Sequence, residues 1–221
     1  DLIFLDTGAM YRSVTVECLR QGIDMTDTEK IIQVARSISI SFGNSANGQT
    51  VYANGSNVTT EIRTPEVDRN VSAVAAIPEV REAMVTLQRR AGENGDVVAE
   101  GRDIGTVVFP EADVKVFLTA DPAARAHRRA VQRQGGDAAT GNDAQVDAKS
   151  EEKILEDIKA RDKADSERKA APLRAAEDAH HIDSSALSVE EVIAAIIALH
   201  PGLGKIDARN HRASHQGNGS E

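Results

Sequence analysis

The sequence has 221 residues, 40% of them hydrophobic, which is enough for one large or two small domains with a true core. Aromatic residues make up 3% and Trp is absent, so that core must be aliphatic. A formal net charge of −9 excludes a general nucleic-acid or acidic-membrane binder, because both need a basic surface; any anionic ligand has to be met by clustered arginines. The single cysteine, Cys18, cannot close an internal disulfide and has no histidine nearby to activate it. The first residues do not read as a signal peptide, and the longest apolar run, residues 192–199, is eight residues, too short to span a bilayer. A soluble, cytoplasmic protein is the expectation.

In chain order, residues 2–5 form a strand that is apolar on both faces, as expected in the middle of a parallel sheet. Asp6-Thr7-Gly8 turns it into a helix over residues 8–20, ended by Gln21-Gly22. Ile31, Val34, Ala35 and Ile38 lie at helical spacing and mark a second helix. The period then changes to two across "SISISF", and the turn-rich "NSANGQ" precedes "TVYANG", which predicts a small antiparallel hairpin inserted in an otherwise parallel pattern.

Thr64 followed by Pro65 is a cap with proline at the first helical position, and Val67, Val71 and Val74 line the helix it starts. Pro78 breaks that helix, and Val80, Met84 and Leu87 line the next. "DVVAEGRD" and "DVKVFLTADPAARAHRRAVQ" each place a short apolar strand before a charged loop; in the second, Asp121 and Pro122 start a helix. Residues 135–145 are glycine-rich and flexible, and a charged helix follows over residues 146–169. "AHHIDSS" is a last short strand, Ser188 and Glu191 make a capping box for a closing helix, and everything from Pro201 onward reads as a disordered tail or linker. Strands separated by helices predict an α/β three-layer fold, in which ligands bind beyond the carboxyl ends of the strands.

Three charged stretches lie at such places. On the charged helix, Ile154, Ile158, Arg161, Asp165 and Arg168 share one stripe, so the core-facing side turns polar towards its end. Either the helix leaves the core there and carries an ordinary exposed ion pair, or two arginines and an acid face a cleft that holds a phosphate and a hydroxyl-bearing ligand. In "EGRDIGTVVFP", Arg102 and Asp103 sit among glycines after a buried strand, either a charged loop or a phosphate contact. Arg125, Arg128 and Arg129 are either a solvated helix face or a group of cations for neutralising a phosphoryl group in transfer.

Taken together, "LDTGAMYR", "EIRTPEV", "VREAM", "GRDIGTVVFP", "DPAARAHRRA" and "IKARDKADSER" resemble the successive signatures of the bacterial cytidylate kinases, P-loop kinases that phosphorylate CMP and dCMP with ATP. The resemblance runs in order from Asp1 to about Leu199. It implies a nucleoside monophosphate kinase-like α/β fold with a core domain over residues 1–36 and 92–200, an inserted CMP-binding subdomain over 37–91, and a helical lid at about 121–145. It also implies that Thr7 and Arg12 hold the CMP phosphate end, that Tyr11 shapes the site, and that Ser72, Arg81 and Asp103 read the cytosine edge. Arg102 and Arg168 would contact phosphate, Arg161 and Asp165 the ribose, and Arg125, Arg128 and Arg129 would close over ATP. Mg²⁺ would accompany ATP, with no nucleic-acid or membrane partner, and the protein would act as a monomer.

The sequence departs from that pattern in one large respect. The family's G-x-x-x-x-G-K-[ST] loop, whose backbone N–H groups cradle phosphate, has no match in the 221 residues; "GLGKID" at Gly202 has the wrong glycine spacing. The expectation is therefore a chain lacking the first strand, P-loop and first helix, an inactive or weakly active fragment of the kinase. The alternative is a non-catalytic remnant that keeps only the CMP half-site.

Overall fold

A computed structural model describes residues 3–46, 48–93, 95–133, 147–168 and 170–200. The glycine-rich stretch 135–145, the "GLGKID" segment and the polar tail lie outside the described residues. The chain packs as two compact units, Asp1–Glu111 with Ala160–Ala175, and Ala112–Lys159 with Ala176–Glu221. Residues 37–91 lie wholly in the first. None of the described helices is long and apolar enough to cross a membrane.

In the first unit, strand β1 (Ile3–Asp6) passes straight into helix α1 (Thr7–Arg20). The Asp6 carboxylate accepts from the Ala9 N–H at 2.9 Å and satisfies one of the helix's orphan donors. α1 buries Ala9, Met10, Val14 and Cys18, and α2 (Thr28–Ser37) adds Ile31, Val34 and Ala35 to the same core. The predicted hairpin is β2 (Ile40–Ser45) with β3 (Gly48–Ala53), extended by the short β4 (Ser56–Asn57), all antiparallel. Its Val51 and Ala53, with Val58, pack into the core formed by α1 and α2.

Helix α3 (Pro65–Ala76) starts at the Thr64 cap and α4 (Pro78–Ala91) follows after a single residue. Proline at the first position of each fixes the break, because it cannot donate to the preceding turn. β5 (Val97–Glu100) pairs in parallel with β1, placing Asp6 opposite Glu100 at their carboxyl ends.

The expectation that β1 is covered on both faces needs correcting. Leu5 is fully buried, but Phe4 is 44% and Val98 47% exposed. Strand side chains alternate between faces, and among the described residues only the Leu5 face has a core layer against it.

The second unit comprises β6 (Val116–Thr119), α5 (Pro122–Arg133), most of α6 (Ala148–Glu167), β7 (His180–Asp183) and α7 (Val189–Leu199). β6 and β7 pair in parallel. Asp121 accepts from Ala123 N at 2.8 Å to open α5, and the predicted capping box of α7 is complete: Glu191 N donates to Ser188 Oγ, and Ser188 N donates to the Glu191 carboxylate. Ala126, Ala130 and Ile154 form a small core between α5 and α6.

Candidate functional site

Four segments of the first unit meet at its polar end, and the joint begins with the Thr7 hydroxyl. It donates to the Glu100 carbonyl at 2.7 Å, tying the start of α1 to the end of β5. The residue after β5 is Gly101, and a Cβ there would lie 2.2 Å from Thr7 Oγ1, so only glycine allows this approach. Two residues on, Asp103 is 6% exposed and forms an ion pair and hydrogen bond with Arg81 of α4, itself 5% exposed. The Arg81 guanidinium also donates to the Ala75 carbonyl at 3.1 Å and lies 5.5 Å from the centre of the Tyr11 ring. Asp103 then opens a π-helical turn, Ile104–Val108. Arg89 of α4 holds that turn by donating to the Val107 and Val108 carbonyls at 2.6 and 3.0 Å.

The last part of α6 supplies the remaining charges. Asp165 is 9% exposed and receives Arg168 at 3.3 Å, Arg102 at 3.5 Å and Arg161 at 4.0 Å. Arg102 also donates to Asp162 at 3.1 Å. Arg168 is anchored from behind, its Nε donating to the Ala171 carbonyl at 2.6 Å. Ala171 has φ of 49°, a left-handed conformation uncommon outside glycine. At the charged end of the stripe on α6 Asp165 is buried within the first unit, and the reading as an ordinary exposed pair fails for it.

Burial leaves its mark on the electrostatics. It pushes the Tyr11 phenol above its ordinary pKa, with the Arg81 charge acting in the opposite direction. Burial, then repulsion from Arg81, pulls the Arg168 guanidinium down. The Tyr11 hydroxyl, both polar atoms of the Gln88 amide and Nη2 of Arg168 are buried without a hydrogen-bond partner. Such groups are costly in a core and mark a place built to receive polar atoms. Guanidinium forks suit phosphate oxygens, and carboxylates suit hydroxyl or amino donors, so the arrangement fits a phosphorylated, hydroxyl-bearing ligand.

The family profile described as cytidylate kinase matches residues 1–201. The chain belongs to the cytidylate kinase family. It is 45% identical over 194 residues to a cytidylate kinase of Limosilactobacillus reuteri (strain DSM 20016), covering 88% of this chain and 82% of that one. Over 201 residues it is 41% identical to a cytidylate kinase of Bacillus cereus (strain ATCC 10987 / NRS 248), and equally to one of Bacillus thuringiensis (strain Al Hakam), with 91% of this chain and 85% of each relative covered.

Of the residues expected from the cytidylate kinase resemblance, Thr7 contacts Glu100, Tyr11 groups with Arg81 and Asp103, and Arg102, Arg161 and Arg168 gather on Asp165, the three groups being tied through residues 100–103. Arg12 lies on the next turn of α1, its fork donating at 2.7 Å to both the Ile62 carbonyl and Asp68 of α3. Ser72 is half-buried on α3, one turn beyond Asp68. Arg125, Arg128 and Arg129 lie on α5 of the second unit, where Arg128 donates to the Ser184 carbonyl at 2.6 Å. Two participants were missed. Asp162 takes Arg102 across 60 residues of sequence, which no local pattern reveals. Gln88 follows Arg81 at a spacing of seven on α4, and that spacing was the available signal.

Proposed function

We propose that the chain binds CMP or dCMP at this cluster and takes part in phosphoryl transfer from ATP, giving ADP and CDP or dCDP. The observation that carries this reading is the buried Arg81–Asp103 pair beside Tyr11, Asp165 and Arg168 in a chain of this family. Arg81 and Asp103, with Ser72, address the cytosine edge; Arg161 and Asp165 hold the ribose; Thr7, Arg12, Arg102 and Arg168 take the acceptor phosphate. That phosphate is already anionic, so an oxygen of it attacks the γ-phosphorus directly and the bond to the β-phosphate oxygen breaks, with no protein base required. The arginines act by positioning and by neutralising charge as it spreads over the transferred group. Arg125, Arg128 and Arg129 serve the donor.

Mg²⁺, when bound with ATP, would supply neutralisation of phosphate charge. Among the described residues no group of three or more His, Cys, Asp or Glu could cage a metal. Mg²⁺ keeps water and phosphate ligands and asks a protein for one or two carboxylates. Asp6 and Glu100, opposite each other at the strand ends, are one carboxylate pair that would serve.

The finer part of the proposal is that these 221 residues transfer phosphate weakly on their own, because the G-x-x-x-x-G-K-[ST] cradle is not among them. The protein is proposed to act as a cytoplasmic monomer without nucleic-acid or membrane partners. A coupled ADP-release assay with CMP, dCMP and UMP, on the chain with and without an N-terminal extension carrying a P-loop, tests both parts. Expected is CMP- and dCMP-dependent turnover with the extension and little without it. Robust turnover by the unextended chain overturns the weak-activity reading. CMP binding with no turnover in either form favours the second reading, a nucleotide-binding remnant, and no CMP binding at all sinks both.

A further inference from the structure

The sequence pattern and the resemblance leave Gln88 out of the site, yet it is the most deeply buried polar side chain of α4, 1% exposed. Neither its amide nitrogen nor its amide oxygen has a hydrogen-bond partner. A glutamine kept only for packing would be out of place here, since a Leu or Met of similar volume fills the space without the cost of desolvating an amide. Its neighbour explains it. The Gln88 amide lies against the Tyr11 phenol closely enough to favour its ionised form, yet the two do not close a bond of ordinary geometry. The Tyr11 ring in turn carries the Arg81 guanidinium, which holds Asp103.

Two buried groups that are both donor and acceptor thus stand side by side, unsatisfied, at the back of a ring that supports the ion pair. We propose that Gln88 is a positioning residue of the nucleotide site: in the bound state its amide and the Tyr11 hydroxyl close on a shared neutral polar partner, a ligand group or one ordered water, and so fix the Tyr11 ring under Arg81. A neutral donor-acceptor pair suits this role. A charge there would compete with Asp103 for Arg81, whereas an amide and a phenol fix the ring without disturbing the ion pair. The nucleotide partner rests on the proposed function, but the unsatisfied pair does not.

The two roles move in opposite directions in experiment. In Gln88→Leu, the midpoint of thermal unfolding of the ligand-free protein is expected to stay the same or rise, because an unsatisfied amide is replaced by an apolar side chain of similar size. Affinity for CMP, measured by calorimetric titration, is expected to fall about tenfold, the loss of one hydrogen bond of about 1.4 kcal/mol. The preference for CMP over UMP should narrow, since a loosened Tyr11 ring lets the Arg81–Asp103 pair shift; general loss of packing would weaken both nucleotides equally. Tyr11→Phe should show the same pattern, and the double variant should bind no worse than either single one, because both act on one arrangement.

A lower unfolding midpoint in Gln88→Leu with unchanged CMP affinity overturns the inference, as do single losses that multiply in the double variant. If the unaltered chain does not bind CMP, the functional reading falls while the ligand-free comparison still decides on Gln88. A higher midpoint supports the unsatisfied pair, and a lower one makes it an ordinary structural amide.

Discussion

Three arginines of the first unit, Arg81, Arg102 and Arg168, and Arg128 of the second are held in different ways. In the first, Arg81 and Arg102 are matched to carboxylates of distant segments, Asp103 and Asp162, and Arg168 to Asp165 three residues before it, while Arg89 is held by backbone carbonyls. In the second, Arg128 is held by the backbone carbonyl of Ser184. The cores differ in step. α1 to α4 and the hairpin sheet share one extensive aliphatic core, whereas α5 and α6 meet over Ala126, Ala130 and Ile154, and Leu118, Val189, Ile193 and Ile197 of the second unit stay exposed. A buried ion pair needs a rigid surround to keep its geometry, since desolvating two charges is repaid only when their alignment is good. A carbonyl contact on a thinner unit makes no such demand. The difference teaches where precision in this chain resides: in the buried, paired charges of the first unit.

The sharpest way to break that contrast is to remove half of the buried pair. Asp103→Ala leaves the Arg81 charge buried and unmatched, with an expected loss of about 3–5 kcal/mol in urea unfolding and no measurable CMP binding. A loss below about 1 kcal/mol would mean that the pair is as dispensable as a surface one. Next in size, Leu5→Ala and Ile154→Ala compare the two cores directly. Both remove a buried aliphatic side chain, for an expected about 2–5 kcal/mol, with Leu5 at the upper end and Ile154 at the lower, because the smaller cluster can relax into the space. Equal losses by the same measurement would erase the distinction drawn between the cores.

Gly101→Ala tests the joint beneath the site. The added Cβ at 2.2 Å from Thr7 Oγ1 must push β5 and α1 apart, for an expected about 1–3 kcal/mol with weakened CMP binding. Thr7→Ser in the same background would not relieve the clash, because the offending oxygen remains. The smallest effect concerns Cys18, buried in α1, whose thiol pKa is raised to about 11, chiefly by burial. At pH 8 about one such thiol in a thousand is ionised, so a thiol reagent should label the native protein slowly and the urea-unfolded protein quickly. Equal rates would show that the α1 core opens freely.

Much of the local architecture was legible from residue chemistry. Thr64-Pro65, Asp121-Pro122 and Ser188 with Glu191 announced helix starts because a cap is satisfied within three residues of itself. The change of period at "SISISF" marked the hairpin for a similar reason, since alternation is a property of the strand alone. What stayed hidden depends on the meeting of distant segments. Nothing near Arg81 names Asp103 as its partner, nothing near Arg12 names Ile62 and Asp68, and the exposure of Phe4 depends on which layers cover β1. The stripe on α6 falls between these cases: its spacing put Arg161, Asp165 and Arg168 on one face, while only tertiary packing could decide between solvent and a buried cluster.

The hold of the Ala171 carbonyl on Arg168 bears on how tightly any ligand can bind. A free arginine side chain carries about 2 kcal/mol of rotamer entropy, which a ligand must normally overcome when it stills that side chain. Here the Ala171 carbonyl at one side and Asp165 at another already restrict the guanidinium, and the chain accepts a left-handed alanine to do it. The disorder is given up during folding, so any anion that binds Arg168 would meet a cation already set in place and need only shed water from it.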